Sequence, residues 1–388
     1  MRFAMRLLHT SDWHIGKPFA VSRLAEQETV LAEILEIAIA NRVDCVLVCG
    51  DVFDSRAPSA EAEKAVFTFF ADLVKRGIAA VIIGGNHDHP KRLGALRRLL
   101  DPLRILIRPE PARPEDGGVI EFATGGEVAR IAALPFVSER QIVDACTIMG
   151  PEEQWYGEYA ENVSAMMSLL SRSFCANTIN IVMAHLFAFG AETSGSEWAI
   201  HTALPYAISP ARFPTTAQYI ALGHLHRPQE VVASPVPCHY AGAPLQLDFG
   251  EQGQRKRVVL VEAKPGRPVH AESIPLTAGR NLRDLEGRID EIEAKAGNFG
   301  DDYLRVTVIT DGPVPGLADR VRASFPNALY IKTKSAIASE TPASAPRAQA
   351  KPQELFQDFY RRQHGTEPSP ELLQVFNELY EEAIHAAD

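Results

Sequence analysis

Five short segments concentrate residues that could do chemistry. They are "TSDWHIG" with Asp12 and His14, "GDVFD" with Asp51 and Asp54, "GNHDHP" with Asn86, His87 and Asp88, "MAHLF" with His185, and "IALGHLHRP" with His224 and His226. Carboxylate, imidazole and amide oxygen together, with no thiolate among them, suit Mn²⁺, Fe²⁺ or Zn²⁺ in a reactive site rather than a structural zinc or an iron–sulfur cluster. His224 and His226 are one residue apart, so in an extended chain both would leave on the same face and could converge on one target. With 12 histidines in 388 residues, two at fixed positions arise by chance about once in a thousand sites, which makes "GHLH" alone a weak signal. Five such segments in order make a metal centre the expectation.

Each segment follows an apolar run. "MRLLH", "VDCVLVCG" and "AAVIIGG" read as strands, separated by the helical patterns "LAEQETVLAEILEIAIANR" and "AEAEKAVFTFFADLVKRG". That alternation predicts βαβ units, and the unbroken apolar character of "VDCVLV" and "AAVII" predicts strands covered on both faces. "VARIAALPF", "NTINIVMAH" and "AQYIALGH" are further strands, with a helical insertion near 152 to 176, and "HYAGAPLQLDFG" and "KRVVLVEA" read as a strand pair closing the sheet system. Every candidate ligand then lies at the carboxyl end of a strand, where open α/β sheets bind ligands. Gly50, Gly85 and Gly223 precede those positions, where the chain must turn with no side chain in the way.

A length of 388 residues accommodates a large catalytic domain with smaller appendages. Hydrophobic residues at 46% and charged residues at 23% are ordinary globular values. No apolar run is long enough to span a bilayer, and "MRFAMRLLHTSD" is too short and soon too polar for a secretory signal, so the expected compartment is the cytoplasm. Five cysteines without a CxxC pair argue against a disulfide framework, and Cys45 and Cys49 read as core residues. A net charge of −10 speaks against nucleic-acid binding through bulk charge. Bound cations would invert the local field, and Lys91, Arg92, Arg97, Arg98 and "RKR" at 255 to 257 are either phosphate contacts or solvated faces.

The ordered set "DWH", "GDVFD", "GNHD", "AH" and "GHLH" resembles the calcineurin-like metallophosphoesterase superfamily. More narrowly, "LLHTSDWHIGK", "GDVFDSRAPS" and "YIALGHLHRPQ" followed by "YAGAPLQLDFGE" resemble the family of nuclease subunits of the SbcCD DNA-repair complex, over roughly the first 260 residues. The resemblance implies an α/β fold with a two-sheet β-sandwich flanked by helices, a small α/β capping domain and C-terminal helices. It implies a binuclear centre, with manganese the expected metal, that hydrolyses phosphodiesters. Asp12, His14 and His226 would bind one ion, Asn86, His185 and His224 the other, and Asp51 would bridge both. His87 would stabilise charge or protonate the leaving group, with Asp88 orienting it. Asp54 is either substrate-facing or a helix cap, and His89 and the "SRAPS" segment are looser matches.

Four regions are expected: a nuclease domain over 1–275, a small α/β unit over 276–335, an Ala/Ser/Pro-rich tether over 336–352, and a helical segment over 353–388. The α/β unit reads as helix ("GRNLRDLEGRIDEIEAKAG"), strand, helix, strand. The terminal segment reads as two amphipathic helices, with Leu355, Phe356, Phe359 and Tyr360 on one and Leu372, Val375, Phe376, Leu379 and Tyr380 on the other, suited to docking on a partner. "LGALRRLLDPLRIL" puts Leu93, Leu96, Leu99, Leu100 and Leu103 at helical spacing, for a core or a twofold dimer face. No P-loop occurs in the chain. The family's implied activity, double-strand 3′–5′ exonuclease and single-strand or hairpin endonuclease, would therefore draw ATP dependence from a coiled-coil ATPase of the SbcC type, in a heterotetramer built on a homodimer. A phosphomonoesterase or cyclic-nucleotide phosphodiesterase would use the same metals, and a non-catalytic scaffold would have lost a ligand, which this chain has not.

Overall fold

A computed structural model of the chain describes residues 4–138, 142, 158–197, 201–202 and 206–335, with scattered positions between 353 and 376. The chain divides into two compact units, Met1–Ala336 and Ile337–Asp388. In the first unit two six-stranded sheets carry most of the structure.

The first sheet is built on β1 (Met5–Thr10), β2 (Cys45–Cys49), β3 (Ala79–Ile83) and β4 (Ile105–Arg108), all parallel, with α1 (Leu24–Ala40) and α2 (Ala60–Lys75) as crossovers. The second contains β5 (Val119–Thr124), β6 (Glu127–Leu134), β7 (Ile179–His185) and β10 (Tyr219–Gly223). A two-stranded ribbon of β8 (Phe187–Ala188) and β9 (Ala207–Ile208) lies between β7 and β10 in the chain, and β11 (Gln229–Glu230) with β12 (Cys238–Tyr240) completes the second sheet. β13 (Arg257–Ala263) and β14 (His270–Pro275) return antiparallel to the first. "HYAGAPLQLDFG" and "KRVVLVEA" are therefore not a strand pair: β12 joins the second sheet and β13 the first, so this stretch links the two sheets.

Alternation along the strands makes three apolar layers. Leu7, Leu47, Val81, Ile181, Met183 and Tyr219 point between the sheets. Leu8, Val46, Val48 and Ile82 point outward onto Val30, Ile34, Val66 and Phe70 of α1 and α2. On the far side Val182, Ile220 and Leu222 meet Met166, Met167 and Leu170 of a third helix, Tyr159–Leu170. Each such fully buried aliphatic side chain contributes about 1.5–3 kcal/mol. Strands buried on both faces explain why their sequences run apolar without interruption. Trp13 anchors the first site loop in this core, donating from Nε1 to Thr10 Oγ1 (2.9 Å) and packing edge-on against Phe69.

"LGALRRLLDPLRIL" is not one helix. It breaks into short turns at Pro90–Ala95, Arg97–Leu100 and Asp101–Leu103, leaving Leu93 buried but Leu99 71% and Leu103 49% exposed. Gly94 within the stretch and Pro102 at its end explain the interruption. Beyond Pro275, the first half of "GRNLRDLEGRIDEIEAKAG" is a strand, β15 (Leu282–Gly287), and only Ile289–Glu293 is helical. β15 pairs parallel with β16 (Tyr303–Thr310), and β16 with β17 (Ala328–Ser335). Leu285, Val306 and Val308 of this sheet close over Ile292 and Val321.

In the second unit the tether lies outside the described residues, as do Leu355, Leu379 and Tyr380. Phe356 and Phe376 stack with ring centroids 4.2 Å apart, so the two terminal segments pack against each other. Among the described residues no helix is long and apolar enough to cross a membrane.

Candidate metal centre

The carboxyl ends of β1, β2 and β3 in one sheet and of β7 and β10 in the other deliver the predicted residues to one place. Asp12, His14, Asp51, Asn86, His185, His224 and His226 are all buried there, each no more than 5% exposed. Four of them hold the chain in the left-handed region: φ is 52° at Asp12, 46° at His14, 50° at Asp51 and 100° at His224. Such conformations cost of order 1–3 kcal/mol each and persist where the surroundings over-determine them.

The glycines do two different things. Gly50 has φ 86°, a turn only glycine adopts readily. Gly85 and Gly223 serve close approach instead: a Cβ at Gly85 would fall on Asp51 Oδ1, and one at Gly223 on the Cys49 carbonyl. Both reasons belong to the same packing of loop on ligand.

Around each imidazole the nitrogen away from the centre is committed. His14 Nδ1 donates to Asp54 Oδ1 (3.0 Å), His185 Nδ1 to the Cys49 carbonyl (2.8 Å) and His224 Nε2 to the His201 carbonyl (3.3 Å). His226 Nδ1 donates to Ser196 Oγ (2.7 Å), whose hydroxyl donates to Glu251 Oε1 (2.5 Å). In the neutral rings these partners assign the tautomers and leave the inward nitrogens as acceptors.

What those inward atoms meet is other acceptors. His14 Nε2 and His226 Nε2 face each other at 3.1 Å. Asn86 Oδ1 is 3.0 Å from both His185 Nε2 and His224 Nδ1. Asp51 Oδ2 lies 3.5 Å from His14 Nε2 and 3.5 Å from His185 Nε2, between the two groups, while its Oδ1 accepts the His87 amide (2.8 Å). Asp12 Oδ1 accepts the His224 amide (2.9 Å), but its Oδ2 is buried with no hydrogen-bond partner among the described residues. An orphaned carboxylate oxygen and paired lone pairs in a buried pocket are unfavourable unless cations lie between them. The oxygen and nitrogen donor set fits divalent cations.

The ionisation pattern carries the same strain. Burial, with the Asp51 carboxylate adding to it, pushes the Asp12 carboxyl up to about 6. Burial takes His14 down to about 4 and His224 well below the usual imidazole range. Burial opposes the charged forms of Asp51 and His185 too, yet their mutual attraction wins, holding Asp51 low and lifting His185 to about 9. His226 is raised against its burial by Glu251. A proton on His185 is the relief these shifts supply at neutral pH.

The remaining predicted residues separate by role. His87 packs edge-on against His14 (4.6 Å) and donates from Nδ1 to the Asp54 carbonyl (2.9 Å). The expected Asp88–His87 contact is not formed. Asp88 spends its carboxylate on the amides of Val52 (3.2 Å), Phe53 (3.0 Å) and Gly85 (2.9 Å), tying the second site loop to the third. Asp54 holds His14 and Lys17 (3.1 Å), and the cap of α2 is Ser59. His89 stands at the start of the Pro90–Ala95 turn.

Three residues near the centre have roles that the sequence did not mark; of these, Lys256 stood only within the basic "RKR" at 255 to 257, and it is buried rather than a phosphate contact or a solvated face. Glu197 accepts the His226 amide (3.0 Å), and Lys256 donates to the His226 carbonyl (2.9 Å) and to Glu251 Oε2 (2.6 Å). Ser196 is the third. Glu251 itself lies within the stretch "LQLDFGE", but nothing there announces its partner.

The family model for calcineurin-like phosphoesterases matches residues 5–228, and one described as the type 5 capsule protein repressor C-terminal domain matches 278–364. Three relatives are named as the SbcD chain of the nuclease SbcCD. The protein from Bacillus subtilis (strain 168) is 29% identical over 391 residues, 97% of each chain. That from Rhodobacter capsulatus is 30% identical over 375 residues, 90% of this chain and 91% of its own. That from Escherichia coli (strain K12) is 28% identical over 336 residues, 82% of each.

Proposed function

The chain belongs to the calcineurin-like phosphoesterase family, in the branch of the SbcD-type nucleases, and from that premise we propose that it is a divalent-metal-dependent DNA nuclease that works with a coiled-coil ATPase. The observation that carries this reading is the convergence of seven buried acceptors from two sheets with an unpartnered Asp12 Oδ2 among them. Asp12, His14 and His226 would hold one cation and Asn86, His185 and His224 a second, with Asp51 between, and manganese is the metal we expect. Such cations supply Lewis acidity toward the phosphodiester and activate the attacking water.

The chain's own groups do the rest. Asp54, the Cys49 and His201 carbonyls and the Ser196 hydroxyl fix each imidazole so that its inward nitrogen is an acceptor. His87, with Nδ1 held by the Asp54 carbonyl, would use Nε2 to stabilise charge on the phosphate or protonate the leaving oxygen. Asp88 is a positioning residue: through three amides it holds the loops that carry Asp51 and His87.

The substrates we assign are double-stranded DNA ends, cut 3′ to 5′, and single strands or hairpins, in the cytoplasm. The terminal helices after 352 would dock the ATPase, and a homodimer would form through the exposed Leu99 and Leu103. The test is cleavage of a hairpin oligonucleotide and of a generic phosphomonoester side by side with Mn²⁺. Hairpin cleavage should dominate, Asp51→Asn should abolish it, and His87→Ala should lose it while still binding Mn²⁺. Preference for the phosphomonoester, or full activity in both variants, would overturn the reading. Deleting residues after 352 should leave hairpin cleavage intact but end co-purification with the ATPase.

A further inference from the structure

We propose that Glu251 is a positioning residue for His226 and acts on it through the Ser196 hydroxyl, a relay that rests on the reading of His226 as a metal ligand. Every other imidazole of the centre reaches its acceptor directly. His226 does not: Glu251 Oε1 is 3.4 Å from its Nδ1, too far for a sound hydrogen bond, and Ser196 Oγ fills the gap at 2.7 Å and 2.5 Å.

The relay has a fixed base. Glu251 is fully buried, and its second oxygen accepts the Lys256 ammonium (2.6 Å) and the Leu247 amide (3.1 Å). Those bonds neutralise the carboxylate and set its plane, so Oε1 is the atom left for Ser196. A buried ion pair contributes little net stability against an apolar replacement, so its presence under a ligand calls for another reason. Ser196 is placed in turn by the Ser194–Glu197 turn, where the Glu197 carboxylate accepts the Ser194 amide (2.9 Å) and the His226 amide (3.0 Å). Lys256 grips the His226 carbonyl (2.9 Å). His226 is thus held at its amide, its carbonyl and its outer ring nitrogen by two loops, which are also joined by Gln254 donating to Ser194 Oγ (3.0 Å).

In chemical terms the relay keeps the proton of His226 on Nδ1. The serine hydroxyl can donate to only one group, and the anionic oxygen of Glu251 takes that donation, so Ser196 Oγ must accept from the imidazole. Nε2 is then available to a cation. Without Glu251 the hydroxyl is free to rotate and donate to Nδ1, which moves the ring proton to Nε2 and blocks the ligand position.

The experiment is Mn²⁺ binding to the full chain, by calorimetry and electron paramagnetic resonance, alongside thermal melting of the metal-free protein. Variants are Ser196→Ala, Ser196→Thr, Glu251→Gln and His226→Ala. Ser196→Ala leaves the Glu251–Lys256 pair intact and guards against a misfolded Glu251→Gln. Ser196→Ala should weaken one Mn²⁺ site by about 10–100-fold with the metal-free melt unchanged. Ser196→Thr, which retains the hydroxyl, should restore it, an outcome a purely structural serine would not produce. If His226→Ala loses an ion but Ser196→Ala binds as wild type, the relay is wrong. If His226→Ala itself binds both ions normally, the ligand reading fails and the relay with it.

Discussion

If the centre holds cations as proposed, His185 would set the terms on which it takes them up. Against the pull of burial, the Asp51 and Asp12 carboxylates lift it to about 9, so at neutral pH it carries a proton on the nitrogen that a metal needs. Loading must displace that proton. Because the raised value means the proton is held below about pH 9, metal affinity should rise with pH toward that point, and calorimetry at pH 7 in buffers of different ionisation enthalpy should register net proton release. Release of none would contradict the pairing of His185 with Asp51. Asp, Asn and His at strand ends were legible in the sequence because their types and order are rare together. Ser196 and Glu197 were not, because each is an ordinary polar residue whose tie to the centre is His226, 29 or more positions away, and Lys256, read only as part of a basic run, turns inward to His226 and Glu251 instead. The resemblance implied that Asp88 orients His87, and its carboxylate turns to three backbone amides, whose pull the sequence does not display.

At the scale of elements, His9 is a pin between the sheets. It lies on β1 in the apolar layer, accepts from Tyr219 O–H at Nδ1 (3.0 Å) and donates from Nε2 to the Leu222 carbonyl (3.1 Å) on β10. Burial, aided by His239, pushes it down to about 3, so it stays neutral in the fold while the unfolded chain takes up a proton below about 6.5. Its contribution is therefore complete above pH 6.5 and is lost progressively as pH falls toward 3. His9→Leu should cost about 1–3 kcal/mol at pH 8, by leaving two buried groups unpaired, and should flatten the acid limb of a urea-stability profile. An acid limb as steep as wild type would refute this. The strands themselves were legible from their apolar runs, and α1 and α2 from their period. β15 was not, because "LRDLEG" alternates charge with leucine and runs into a helical sequence, and the pairing that makes it a strand comes from β16 after it. The leucines of 93–103 kept helical spacing without forming a helix, since periodicity does not register the breaks that glycine and proline impose.

Across the whole of the first unit, one arginine ties the small α/β sheet to the body. Arg23, 5% exposed, donates to the Gln246 carbonyl (2.6 Å), Glu26 Oε2 (2.9 Å) and the Arg280 carbonyl (3.3 Å), while Glu26 accepts from Tyr303 O–H (2.7 Å). Four residues on, Gln27 donates to the His14 carbonyl (2.9 Å) and accepts the Gly16 amide (3.0 Å). Arg23→Ala should cost about 1.5–3 kcal/mol for each charged hydrogen bond not replaced by water, and amide exchange should quicken over 282–287 before the strands of the sandwich. Uniform exchange would place the anchor elsewhere. The largest consequence concerns how the proposed ligands are divided. Asp12, His14, Asp51 and Asn86 come from one sheet, His185, His224 and His226 from the other, so cations held among them would rivet the two sheets at their mouth. The protein's resistance to heat then becomes a function of free metal concentration: a ligand at one hundred times its dissociation constant adds about 2.7 kcal/mol. Chelation should lower the melting midpoint and Mn²⁺ should restore it. A midpoint indifferent to both would mean that the mouth of the sandwich is closed by protein contacts alone.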